Sequence, residues 1–172
     1  MQSVMLAALL LYYFHPPALG FFKFLARLKT DWGYGYSIVS SAIAGAVLPE
    51  ILRIIAFQRG NFRCKNFTNL CFAVPFWSAM GLCVDLLYRS QATWFGADAS
   101  FPIVLKKVLV DQFLYNPLFS APVTTWLYHW KQTGYSSQAM NGFLSSAYYR
   151  ERILPTLFAT WGVWIPVVTI LY

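Results

Sequence analysis

The most constraining feature of this sequence is its shortage of charged side chains. Lys, Arg, Asp and Glu make up 11% of the 172 residues, whereas about 25% is usual for a soluble domain. A soluble protein needs such residues to cover its exterior, and here most of the exterior would be apolar. Hydrophobic residues account for 58% of the chain. The sequence therefore predicts an all-α integral membrane protein, a helical bundle that has lipid as its solvent.

The basic residues do not indicate a nucleic-acid partner, although the formal net charge is +7. They are scattered in ones and twos and form no stripe or cluster. Trp and Tyr are frequent, and such residues accumulate where hydrocarbon meets headgroups. We therefore expect the lipid bilayer as the partner and headgroup anchoring as the role of the basic residues. A homo-oligomer and a partner in a membrane complex both remain open.

Hydrophobic runs predict about four spanning helices in a bundle of residues 32–172, near 32–57, 67–89, 102–130 and 155–172. Residues 1–31 form a separate N-terminal part. It opens with an apolar segment, Met1–Phe14, too short to span a bilayer. An amphipathic helix is predicted from His15 to Lys29, lying along the membrane. Between the last two spans, residues 131–152 are predicted as a loop with a short interfacial helix that ends at Arg150.

A face of small residues is predicted on the first span. Ser37, Ser41 and Gly45 follow one another at intervals of four, so they share one side of a helix. Helices in lipid associate through close packing, and small residues at this spacing allow it. We expect another helix of the same chain to approach there.

Two acid–base pairs have helical spacing. Glu50 and Arg53 are three residues apart, and Asp85 and Arg89 are four apart, so each pair can form an ion pair on its own helix. For Glu50 and Arg53, a bundle interior and the membrane interface remain equally open. For Asp85 and Arg89, a local ion pair at the interface is favoured over a functional role.

The third predicted span holds the best candidate for an intramembrane polar site. Asp111 and Gln112 follow the apolar run Val108–Val110, and Lys107 lies four residues before Asp111. Exposing both polar side chains to lipid would cost several kcal/mol. We therefore expect Asp111 and Gln112 to face the bundle, beside the first or second span.

No catalytic, metal or cofactor site is expected. Cys64, Cys71 and Cys83 match no metal-binding spacing and are predicted to be buried apolar fillers. His15 and His129 are the only histidines, and no nucleophile, base and orienting group occur together. An intramembrane enzyme is therefore disfavoured.

Two motifs stand in the later part of the chain: Lys106-Lys107 with Asp111-Gln112 and Pro117, and Trp161-Gly-Val-Trp164-Ile-Pro166. Together they resemble the Mpv/PMP family of peroxisomal and inner mitochondrial membrane proteins, over roughly residue 35 to the end. The resemblance implies a small channel-like membrane protein without an enzymatic step or a cofactor. The chain departs from the family at Leu48-Pro49-Glu50 and lacks the family's final C-terminal helix, so we expect a fragment or a shortened member.

Two functions follow from these observations. The first is a pore for small solutes, in which Asp111, Gln112 and Glu50 line a polar path through a mitochondrial, peroxisomal, plastid or bacterial membrane. The second is a structural or assembly subunit, in which the same polar residues join helices. The pore is favoured mainly by the family resemblance.

Overall fold

The protein is all-helical throughout the residues that the structure, a computed structural model, describes: 14–98, 100–137, 141–143 and 145–171. This confirms the predicted all-α class. Five helices run through these residues: α1 Pro16–Trp32, α2 Tyr34–Gln58, α3 Cys64–Phe95, α4 101–132 and α5 146–171. The predicted apolar segment before α1 lies outside the described residues, except for Phe14.

Helix α1 corresponds to the predicted amphipathic helix. It begins at Pro16, where the missing N–H and fixed φ of proline suit the first turn. It ends before Gly33, whose φ of 51° lies in the left-handed region that side chains rarely adopt. The helix therefore continues to Trp32, three residues beyond the predicted end at Lys29.

Two helices are long and apolar enough to cross a membrane, and they match the first two predicted spans. Tyr34–Gln58 and Cys64–Phe95 each contain an 18-residue window with a mean hydropathy of 1.8. Only 17% and 22% of these windows are buried, whereas the core helix of a soluble protein would be mostly buried. Helices α4 and α5 coincide with the other two predicted spans, but no further described helix meets the same criteria. The arrangement with four spans remains a prediction.

Among the described helices, α2, α4 and α5 each contain a wide π-helical turn directly before a proline. The segments are Ile43–Val47, Asp111–Ser120 and Tyr149–Ile153, and the prolines are Pro49, Pro122 and Pro155. In each helix the residue before the proline donates its N–H to the carbonyl five residues back: Leu48 to Ile43, Ala121 to Asn116 and Leu154 to Tyr149. Proline lacks an N–H and its ring would clash with the carbonyl four residues back. The wider turn relieves this conflict without ending the helix.

The described residues form two compact units, one made of those up to Ser90 and the other of those from Gln91 onward. In the first unit, α2 and α3 pack closely through small residues. A Cβ added to Gly81 would overlap the Ser37 carbonyl oxygen and lie 2.5 Å from the Ser41 Cβ, and one added to Gly45 would overlap the Trp77 ring. This confirms that the predicted face of small residues is an intramolecular helix contact.

The second unit has its apolar core where α4 meets α5. Ala121, Tyr148, Ile153 and Leu157 are buried together. The short helix Ser146–Tyr148 runs on through the wide turn into Leu154–Leu171, so the predicted end of this helix at Arg150 is wrong. The reason is that Tyr148 and Ile153 belong to the core and thereby hold this segment in line with α5.

The predicted burial of all three cysteines is also wrong. Cys64 and Cys71 are exposed, and Cys83 is half-buried. Helix α3 buries one face, made of residues three and four apart: Asn66, Asn69, Ala73, Phe76 and Met80. Cys64 and Cys71 each lie two positions from that face, which is about 200° around a helix. They therefore point away from it.

Candidate functional site

The polarity of the described surface is inverted relative to a soluble protein. Among the residues that the structure describes, nine polar or charged side chains are buried: Glu50, Asn66, Asn69, Asp85, Gln91, Lys107, Asp111, Gln112 and Asn116. Large apolar side chains are strongly exposed, among them Phe57 at 84%, Leu118 at 70% and Ile55 at 66%. The candidate site is therefore the set of inward polar residues, which falls into one group in each unit and one further ion pair.

In the first unit, Glu50 of α2 is the acceptor at the centre of a buried amide cluster. Its Oε1 accepts hydrogen bonds from Asn66 Nδ2 at 2.6 Å and from Asn69 Nδ2 at 3.3 Å. Its Oε2 accepts from the Arg53 guanidinium at 3.2 Å. Both asparagines belong to the buried face of α3, so this cluster joins the two candidate spans.

Asn66 also fixes the start of α3. Its Oδ1 accepts a hydrogen bond of 2.7 Å from the backbone N–H of Arg63, which precedes the helix. A side chain at the third helical position that reaches back in this way satisfies an N–H that the helix itself leaves unpaired. One asparagine therefore links Glu50 of α2 to the start of α3.

The two side chains of the Glu50–Arg53 pair differ in burial, and the position of the pair relative to a membrane interface stays a prediction. The Glu50 side chain is 8% exposed, whereas that of Arg53 is 52% exposed. The carboxylate thus lies inside the unit, and the guanidinium reaches outward along the helix. Because the pair is open on the Arg53 side, most of the stabilisation of the carboxylate comes from the buried amides.

Asp85 and Arg89 form the predicted ion pair on α3. Arg89 Nε donates to Asp85 Oδ2 at 2.9 Å, with Asp85 buried and Arg89 half-exposed. The Arg89 guanidinium also lies 4.3 Å from the centre of the Tyr34 ring, a cation–π contact. Tyr34 is the first residue of α2, so this pair connects α3 to the corner between α1 and α2.

In the second unit, four buried polar residues follow one face of α4: Lys107, Asp111, Gln112 and Asn116. None is more than 7% exposed. Three of them lie within the wide turn, which begins at Asp111. Asp111 and Gln112 are buried, as predicted, whereas their expected position beside the first or second span stays a prediction.

Polar side chains of α3 and α5 form hydrogen bonds with this face of α4. Gln91 Nε2 of α3 donates to the Lys107 carbonyl at 3.3 Å, and Trp161 Nε1 of α5 donates to the Gln112 carbonyl at 2.8 Å. Asn116 Nδ2 donates to Thr160 Oγ1 at 3.4 Å. The Gln112 side-chain oxygen is buried and has no protein hydrogen-bond partner among the described residues.

The motif residues differ in their surroundings. Pro117 lies within the wide turn of α4, and its carbonyl accepts a hydrogen bond of 3.2 Å from the Tyr149 hydroxyl. Trp161 binds the Gln112 carbonyl, as described above, whereas Trp164 is 42% exposed. The side chain of Pro166 lies outside the described residues.

A cleft of about 360 Å³ opens beside Pro117, between α4 and the start of α5. Its lining is mainly apolar and includes Leu118, Phe143 and Ile153. Within the described parts of the chain, no three His, Cys, Asp or Glu side chains come close enough to hold a metal ion. The polar face of α4 is therefore the stronger candidate in this unit.

Close to this cleft, Tyr148 and His129 are in contact. The Tyr148 hydroxyl lies 3.4 Å from His129 Nδ1. Burial raises the pKa of Tyr148, and the positive charge of Arg152 partly opposes the shift. The rings of His129 and Tyr148 also pack against each other, with their centroids 5.8 Å apart.

Four members of the buried polar set were not predicted: Asn66, Asn69, Gln91 and Asn116. The sequence spacing could have predicted Asn116, because it lies four residues after Gln112 and so shares its helix face. Asn66 and Asn69 similarly have the spacing of a single face.

The chain matches no protein-family model, and it shows no significant similarity to a curated protein or to a solved structure.

Proposed function

We propose that this chain is a multi-pass membrane protein that forms a channel-like path for small solutes. The observation that carries the proposal is the inverted polarity of the described residues, with nine buried polar side chains and strongly exposed Phe, Leu and Ile side chains. In water, such a surface would be unstable, whereas in lipid it is the expected one. The proposal includes four spans and the Mpv/PMP membership suggested by the two motifs.

The proposed path follows the polar face of α4 in the second unit. A buried amide oxygen without a partner costs free energy, and Gln112 has one. Water at that position would satisfy it, and water beside Asp111 and Asn116 would make a hydrated lumen. A weakly selective pore needs only such a lumen with a few charges.

The second candidate, an assembly subunit, is favoured by a different observation. Glu50 already has three donors, from Asn66, Asn69 and Arg53, and this saturation is typical of a group that joins helices. We therefore assign Glu50 to helix packing and restrict the proposed lumen to the second unit.

Ion flux through liposomes that contain the purified protein tests the proposal. Asp111→Asn removes one charge and keeps the size of the side chain, so the ratio of cation to anion flux should fall while the melting temperature stays close to that of the unmodified protein. Asp98→Asn is the matched control, because Asp98 is exposed in the connection between α3 and α4. It should leave both quantities unchanged.

The assembly role predicts the opposite result for the same variant. If the Asp111 charge belongs to a buried pair, its loss strands the partner and costs about 3–5 kcal/mol. Unchanged flux ratios with a sharply lower melting temperature would therefore reject the lumenal role. Absence of flux from the unmodified protein would reject the pore itself.

A further inference from the structure

The turn between α2 and α3 carries three exposed positive charges that are as closely spaced as Lys23, Arg27 and Lys29 of α1, but without an acid such as Asp31 beside them in the sequence. Arg59, Arg63 and Lys65 lie within seven residues, and all three are exposed. None has an ion-pair partner among the described residues. The sequence also contains no acid between Glu50 and Asp85. We call Arg59, Arg63 and Lys65 the basic turn.

Exposed aromatic rings alternate with these charges. Phe57, Phe62 and Phe67 are 84%, 61% and 64% exposed. Phenyl rings at such positions would be poorly placed in water but suit the upper acyl region of a bilayer. Charge and apolar area thus occur together at the same turn.

The basic turn is held in one conformation by hydrogen bonds. Asn66 binds both the Arg63 N–H and the buried Glu50 carboxylate. The backbone N–H of Asn61 donates to the Gln58 carbonyl, and that of Gly60 donates to the Ile54 carbonyl. A fixed backbone lowers the entropy cost of binding a ligand at this turn.

We propose that the basic turn binds the headgroups of anionic phospholipids, with the three phenylalanine rings inserted among the acyl chains. The inference rests on the membrane insertion in the proposed function, because the turn then joins two spans at headgroup height. Lys and Arg pair with phosphate through charge-assisted hydrogen bonds. Each basic residue near an anionic membrane contributes about fivefold in affinity.

The test compares lipid association in reconstituted vesicles. The protein is placed in phosphatidylcholine vesicles with about one-third phosphatidylglycerol, a mixture with a negative surface potential. Spin-labelled phosphatidylglycerol and phosphatidylcholine then report the association of each lipid with the protein. The variant is Arg59→Gln, Arg63→Gln and Lys65→Gln combined. The matched control removes three exposed charges from α1 by Lys23→Gln, Arg27→Gln and Lys29→Gln.

We expect the unmodified protein and the α1 control to prefer phosphatidylglycerol, and the basic-turn variant to lose at least about tenfold of that preference. An equal loss in both variants would mean general charge attraction and would overturn the proposal. No preference in the unmodified protein would also overturn it, even if the protein is fully inserted. Failure of insertion itself, measured by flotation and carbonate extraction, would instead overturn the proposed function.

Discussion

Glu50 offers the sharpest test of how the first unit is held together. The change is Glu50→Ala, compared with Glu50→Gln at the same position. Alanine removes the only acceptor shown for the amide groups of Asn66 and Asn69. Glutamine keeps a side-chain oxygen that can accept from both asparagines.

The expected cost follows from the burial of the two amides. Asn66 is 1% exposed and Asn69 is 9% exposed, so neither can turn to bulk water. A buried donor left without an acceptor costs about 1–3 kcal/mol, which gives about 2–6 kcal/mol for the two. Glu50→Ala also removes the cost of burying a carboxylate, which offsets part of this destabilisation. We therefore expect the variant to lower the free energy of unfolding by about 2–4 kcal/mol. For Glu50→Gln we expect about 1 kcal/mol, because the exposed Arg53 makes its ion pair weak.

The free energy of unfolding is measured by denaturant titration of the purified protein in detergent micelles. Glu151→Ala is the control, because Glu151 is exposed. The double variant Glu50→Ala with Asn69→Ala should cost less than the sum of the single changes, since it removes one stranded donor. If Glu50→Ala were as mild as Glu151→Ala, or if the double variant were strictly additive, the cluster would not stabilise the fold as argued.

Three further predictions test other parts of the structure. Gly81→Ala should destabilise the first unit by about 1–3 kcal/mol, because the new Cβ overlaps α2. The control Gly20→Ala should not destabilise, because nothing lies within 4 Å of the added Cβ. Equal melting temperatures of the two variants would contradict the close contact at Gly81. Arg89→Gln should lower the melting temperature more than Arg27→Gln, because only Arg89 pairs with a buried acid and a ring. Burial raises the pKa of Tyr148 in the folded state, so the folded protein holds the hydroxyl proton more tightly than the unfolded chain does. The resulting contribution of Tyr148 to folding stability is complete below about pH 10 and is lost as the pH rises through the folded pKa. Tyr148→Phe should therefore flatten the decline of melting temperature above about pH 10, and an unchanged slope would contradict the shift.

Sequence alone was sufficient for features that depend on neighbours along one helix. The approximate positions of the helices follow from apolar runs and from Pro16, although the end of α1 before Gly33 was predicted three residues too early. The ion pair between Asp85 and Arg89 follows from a spacing of four. These features were predictable because a helix fixes which residues are adjacent on its own surface.

The wide turns also have a local cause, since each precedes a proline, although the sequence analysis did not use it. Proline at positions 49, 122 and 155 conflicts with a normal helical turn. Proline alone does not determine a wide turn, because Pro75 lies inside the regular helix α3.

Only the tertiary structure decided which polar residues form the buried clusters. Asn66 and Asn69 lie 16 and 19 residues from Glu50, and Thr160 lies 44 residues from Asn116. Such contacts depend on the register of one helix against another, which spacing within a single helix does not specify. In the first unit this register is set where Gly81 meets α2, because backbones can approach so closely only at a residue without a side chain.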